Sequence, residues 1–173
     1  ENKKFKDIKY LGDELTESEV NQIIGTEMQE CWDKFGSGNL DAFFVPRNLI
    51  EKVGITSLVK GNSIGCITCS DIIFKLPEKE KFKGLLEYLK EEHKTITQHE
   101  SGCPEKNTCW YEFAKDNQIN LNITFDTSIA TEYFVVFVRQ NIRKGEGTLN
   151  TYVMDQDTKN RVCETTLPFK FFT

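Results

Sequence analysis

Six cysteines, Cys31, Cys66, Cys69, Cys103, Cys109 and Cys163, constrain this chain more than any other feature of it. The count is even, methionine is scarce and one N-glycosylation triplet occurs at Asn122-Ile123-Thr124. Together these point to an oxidising, extracytoplasmic setting, secreted or luminal, in which thiols are paired. Six cysteines admit about 15 pairings, and their order along the chain does not choose among them. The simplest arrangement is nested: Cys31–Cys163 outermost, with Cys66–Cys69 and Cys103–Cys109 as local clips. The outer bridge would close a loop of roughly 130 residues and stabilise by about 5 kcal/mol in the chain-entropy picture, comparable with the net stability of a small domain. Cys66–Cys69 is the weak member. On an extended strand, residues three apart point to opposite faces, so this pair needs a bend or different partners.

The 173 residues suit one domain, read as residues 1–173 with 1–30 as an N-terminal extension. Apolar residues make up 38% of the chain, a globular rather than a disordered composition once its 11 glycines are added. A net charge of −5 argues against general nucleic-acid binding, which needs Lys and Arg to neutralise phosphates. The longest apolar run, 133–138, is far too short to span a membrane. No signal peptide is evident and the chain starts at Glu1, which reads as a processed or trimmed form.

Along the chain, residues 5–11 suggest a short lead-in strand. Thr16-Glu17-Ser18-Glu19 is a capping-box pattern, and Val20, Ile23, Ile24, Met28 and Cys31 follow at helical spacing, predicting a helix over 17–33. Strands are expected at 40–45 and 64–76. Phe82, Leu85, Leu86 and Leu89 fall at i, i+3, i+4 and i+7, predicting a helix over 79–92 whose Glu87, Glu91 and Glu92 form a solvated face. The last third reads as β: 119–125, 133–139, 148–154 and 162–172, separated by polar turns at 143–147 and 155–160. Residues 133–138 are apolar on both faces and should form a central, covered strand. In 119–125, Ile119, Leu121, Ile123 and Phe125 alternate with polar residues, which turns Asn122 toward water, where a glycan fits. Pro168 in the last strand implies a sheet edge.

The cysteine order and its flanking residues resemble the MD-2-related lipid-recognition family, which includes the Niemann–Pick type C luminal sterol carrier, the ganglioside activator and a class of mite allergens. The likeness rests on joint spacing. A first cysteine is followed by Lys60-Gly61 opening a strand, then by the clip Cys103-Pro104-Glu105-Lys106-Asn107-Thr108-Cys109. The polar turn Ala114-Lys115-Asp116-Asn117 and an alternating strand come next, and a final cysteine lies on a terminal strand. It covers about 31–172. The family usually has a cysteine pair before the Lys-Gly; here Cys66 and Cys69 come after it. The resemblance implies a β-rich α+β domain, an immunoglobulin-like antiparallel β-sandwich whose two sheets part to admit a lipid, with one inserted helix.

The aromatic content, 13 Phe, 5 Tyr and 2 Trp, suits either an apolar cleft or a filled core. Ile123, Phe125, Val136, Val153, Leu167 and Phe169 are the candidates for cavity wall or core. Cys66-Ile67-Thr68-Cys69 imitates a redox couple, but a β-rich run follows it instead of a helix. With His93 and His99 it also imitates a zinc set, at a gap longer than a finger uses. Neither reading is favoured, and no catalytic residue, metal ligand or cofactor is assigned. Arg139, Arg143 and Lys144 suit anionic headgroups or, more simply, a solvated loop. The leading expectation is a secreted or luminal carrier that encloses a sterol, fatty acid or glycolipid and delivers it to a receptor or membrane surface. The rival is a secreted protein-binding module, an immune modulator or surface ectodomain, with a closed core.

Overall fold

A computed structural model describes residues 7–12, 15–35, 63–97, 110–142 and 146–163 of the chain. Four strands form its central sheet: β1 (Asp7–Leu11), β2 (Ser63–Phe74), β5 (Glu132–Ile142) and β6 (Glu146–Asp155). Their order is β1-β2-β5-β6, with β1 parallel to β2 and the other pairs antiparallel. Tyr133 through Val138 are all buried on an inner strand, as a run apolar on both faces predicts.

Helix α1 (Glu17–Lys34) begins where the sequence places it. The Thr16 hydroxyl accepts from the Glu19 backbone N–H at 3.3 Å, and the Glu19 carboxylate accepts from the Thr16 backbone N–H at 2.8 Å. Its buried stripe, Val20, Ile24, Met28 and Cys31, lies on one face of the sheet. The stretch 1–30, read as an extension, therefore supplies an edge strand and most of a core helix.

The register of β2 explains the disulfides. Residues that pair across strands share a face. Cys66 pairs with Val138 and Thr68 with Val136, whereas Ser70 pairs with Val135, so Cys69 is a bulged extra residue. Cys69 and Ser70 both face α1: Cys69 is bonded to Cys31, and the Ser70 hydroxyl donates to the buried Glu27 carboxylate. Lys9 of β1 reaches the same carboxylate at 2.9 Å. Cys66 points to the opposite face and is bonded to Cys163 at the end of α5 (Gln156–Cys163). On β5 the same division recurs. Phe137 stacks on Phe35 at 4.3 Å on the α1 side, and Phe134, three residues away, lies beneath Lys159 of α5.

The nested pairing is thus corrected. Cys31 pairs with Cys69 and Cys66 with Cys163, because the two β2 cysteines point to opposite layers. Cys103 and Cys109 lie outside the described residues. The chain-entropy argument gives about 4 kcal/mol for the first loop and about 5 kcal/mol for the second.

Other expectations change for local reasons. Lys81–Phe82 forms a short ladder, β3, with β4 (Phe125–Asp126), and Phe82 stacks on Phe74 at 5.6 Å instead of opening a helix. Gly84, with φ of 82°, then turns the chain into α2 (Leu85–Glu92). Lys94–Thr97 adds a short helical turn, α3, and Trp110–Asp116 forms α4 where a polar turn was expected. The expected strand over 119–125 survives only as β4. The end of the chain's described part is α5 and not a turn leading into a strand at 162: Asp155 accepts from the Thr158 backbone N–H at 2.7 Å and caps it. The expected strand at 40–45, Pro168 and residues 164–172 lie outside the described residues. The fold is α+β around a β-rich centre. Where an immunoglobulin-like sandwich sets a second sheet, α1 and α5 face this one.

Helices α1 and α2 touch at Gly25, where an added Cβ would lie 2.7 Å from Tyr88 and 3.0 Å from His93. Burial in this contact pushes His93 below its ordinary value of 6.5, against a smaller opposing pull from Glu92.

Two predictions follow from these contacts. Trypsin leaves both β2 cysteines on one peptide, 61–75, so a non-reducing map should recover it joined to 10–34 and 162–170 at once. Recovery of 10–34 joined to 162–170 without 61–75 would restore the nested pairing. Separately, the unfolded chain protonates His93 near pH 6.5 before the folded chain does. Stability should be complete above pH 6.5 and decline as pH falls below it, seen as a lower urea midpoint at pH 5.5 than at 7.5. His93→Phe should flatten that decline.

Candidate functional site

Among the described residues a cleft forms at the ends of β5 and β6, and it starts with the way α4 stops. Gln118 takes the left-handed conformation (φ 53°), the Ile119 backbone N–H reaches the Ala114 carbonyl at 2.8 Å and the Gln118 N–H reaches that of Lys115 at 3.2 Å. This paired closure is a Schellman-type end. Arg161 of α5 donates to the carbonyls of Asn117 and Gln118, placing a guanidinium on the negative end of α4. The start of segment 119–124 is thereby tied to the last turn of α5.

Helix α4 itself packs at β6. Trp110 Nε1 donates to the Thr151 carbonyl at 2.9 Å, Tyr152 donates to the Trp110 carbonyl at 2.8 Å, and Trp110 and Phe113 stack on the Tyr152 ring. One backbone group of β6, the Thr151 carbonyl, is thus met by a side chain and not by another strand.

Across from segment 119–124 lies the turn 126–130. The Asp126 carboxylate accepts from the Ser128 backbone N–H at 3.0 Å and from its hydroxyl, and Asp126 O accepts from the N–H groups of Ile129 and Ala130. Lys81 bonds the other Asp126 oxygen at 2.7 Å. The Lys81 and Ser128 hydrogen bonds hold the Asp126 carboxyl down to about 2, so it stays ionised well into acid. The turn lifts Ile129 into water, 84% exposed.

Between these walls is a half-open cleft of about 210 Å³. Ile119, Ile123, Ala130, Val153 and Met154 are among its apolar lining, and Asn120, Thr124, Asp155 and Thr158 are among its polar lining. Tyr133 lines it too, with its hydroxyl accepting from the Asp126 backbone N–H at 3.2 Å. Burial pushes the Tyr133 phenol up, and the charges of Asp155 and Asp126 add to that rise.

Of the six cavity candidates, Ile123 and Val153 meet in this cleft. Phe125 and Val136 do not: each is fully buried, Phe125 against the rings of Phe74 and Tyr133, Val136 between Thr68 and Tyr152 in the sheet. Leu167 and Phe169 lie outside the described residues, as do Arg143, Lys144 and His99, and the Arg139 side chain is likewise not described. Cys66 and Cys69 are bonded to different partners, so they form neither a Cys-x-x-Cys couple with each other nor a thiolate pair for zinc. Asn122 is exposed, on an irregular segment and not on a strand face. Sequence reasoning missed Asp126, Asp155, Tyr133 and Ile129. The Asp-x-Ser turn signal at 126–128 was the available cue.

Among the described residues no helix is long and apolar enough to cross a membrane. Comparison with known protein families, curated proteins and solved structures returns no match.

Exposure of Asn122 leads to one expectation. Material from eukaryotic cells should lose a single glycan mass on Asn122→Gln, with an unchanged melting temperature. Identical masses for the two proteins would mean the sequon is unused.

Proposed function

We propose that this chain is an extracytoplasmic protein-binding module: a closed, disulfide-stapled core that presents a rigid surface to a partner polypeptide. The observation that carries this reading is the state of the interior. Both layers covering the sheet are joined covalently to β2, one through Cys69 and the other through Cys66. The residues expected to wall a lipid chamber, Phe125 and Val136, are themselves packed to zero exposure. A surface held this way loses little conformational freedom on docking, which favours recognition by shape.

The rival is the lipid carrier of MD-2-related type, with a sterol, fatty acid or glycolipid held between two parting sheets. In its favour, Ile123 and Val153 share one cleft. Against it, the cleft's 210 Å³ is below the roughly 300–1,000 Å³ of pockets that engulf a small molecule, and disulfide-tied helices resist parting from the sheet. The paired cysteines support an extracytoplasmic site of action under either reading.

Native mass spectrometry of the purified protein, before and after gentle organic extraction, tests the proposal. The expected result is one mass, polypeptide plus any glycan, unchanged by extraction, and no saturable binding of a fluorescent fatty acid or sterol. A lipid-sized mass loss, or saturable binding at one lipid per chain, would overturn it in favour of the carrier.

A further inference from the structure

We propose that the cleft at the ends of β5 and β6 is the anchor site for one basic side chain, an arginine or lysine, presented by the partner polypeptide. This rests on the protein-binding reading above and names the chemistry that the site selects.

Size comes first. A half-open cleft of about 210 Å³ is too small to enclose a whole small-molecule ligand but suits one long side chain. Anchor residues of protein interfaces sit in such pockets and dominate the binding energy. The wall chemistry then narrows the class. Ile119, Ile123, Val153 and Met154 supply apolar lining, while Asp155 and Asn120 supply polar lining. Arg and Lys are the side chains that combine a long apolar stem with a charged head, and they bury the stem while keeping the head in polar surroundings.

Charge points the same way. Two acidic residues, Asp126 and Asp155, line the cleft together with the buried Tyr133. Lys81, 63% exposed, pairs with one Asp126 oxygen and Ser128 holds the other, which leaves Asp155 as the carboxylate for an incoming cation. The chain's net charge of −5 adds a long-range bias toward cationic partners. Finally, Ile129 stands 84% exposed at the rim, an apolar group that a partner backbone lying across the mouth would remove from water.

The experiment uses the full disulfide-bonded chain, labelled with ¹⁵N, and four capped amino acids as probes: the N-acetyl amides of arginine, lysine, leucine and glutamate. The arginine and lysine probes should shift the backbone signals of 119–130 and Tyr133 with millimolar affinity, at least fivefold tighter than the leucine probe, and binding should weaken as salt is added. The glutamate probe should leave the signals in place. Asp155→Asn keeps an equally good helix cap while removing the charge, so it should lower affinity for the basic probes at least fivefold with the fold unchanged. Ile129→Ser, at an exposed position, should weaken all binding about twofold.

Equal binding of leucine and arginine would overturn the basic class while leaving a protein-binding module standing. No shift from any probe would overturn the cleft as an anchor site. A fluorescent fatty acid moving the same signals would overturn the protein-binding reading itself.

Discussion

A single extra residue in β2 sets the rest of the structure. Up to Thr68 the even-numbered side chains face the α5 layer; from Ser70 onward they face α1, because Cys69 is inserted without a partner on β5. Without that change of phase, Ser70, Ile72 and Phe74 would turn away from the helix whose carboxylate and apolar stripe they meet. Glu27 would then keep Lys9 but lose the Ser70 hydroxyl, and a hydrogen bond to a charged group contributes about 1.5–3 kcal/mol. The bulge places Cys69 beside Ser70 on the α1 side and leaves Cys66 on the other. One strand therefore carries a covalent tie to each layer.

That arrangement explains where a binding surface can exist. The sheet's faces are covered by α1 and α5, α4 packs at β6 through Trp110 and Tyr152, and the ring cluster of Phe74, Phe82, Phe125 and Tyr133 fills one end of the core. What remains is the place where strands hand over to turns. There the Asp126 turn and the first turn of α5 satisfy their backbone groups locally, and the end of α4 is closed by its own Schellman-type bonds and by Arg161 of α5. The cleft lies where these closed ends meet.

Much of this was legible in the residues. The capping box fixed the start of α1, and the unbroken apolar run marked β5 as an inner strand. The phase change in β2 shows only in the structure, where Cys69 and Ser70, adjacent in the chain, both face α1. Helix α4 had a signal too, Trp110, Phe113 and Ala114 at i, i+3 and i+4, but the polar residues Lys115, Asp116 and Asn117 favoured a turn. Asp155 served equally as a turn former or a helix cap, and only tertiary contacts such as that of Arg161 with the end of α4 decide between them. The disulfide partners were not legible because pairing depends on which face each cysteine takes, and that depends on the bulge. Ile123 and Val153 could be named from alternation. Asp126, Asp155 and Tyr133 could not, because nothing local tells three residues on three elements that they converge.

The same covalent ties bear on how any partner is recognised. A carrier needs layers that separate, and separation here would strain a disulfide on either face of β2. A docking surface needs the opposite: groups already in place, so that little ordering is required when the partner arrives. Asp126 is held by Lys81 and Ser128, Asp155 by its cap contact with Thr158, and Tyr133 by the Asp126 backbone. Each polar group around the cleft is thus oriented by a neighbour before any ligand enters. Selectivity in such a site comes from the fixed placement of charge, and a guest that lacks a cation would leave the Asp155 carboxylate facing an apolar surface.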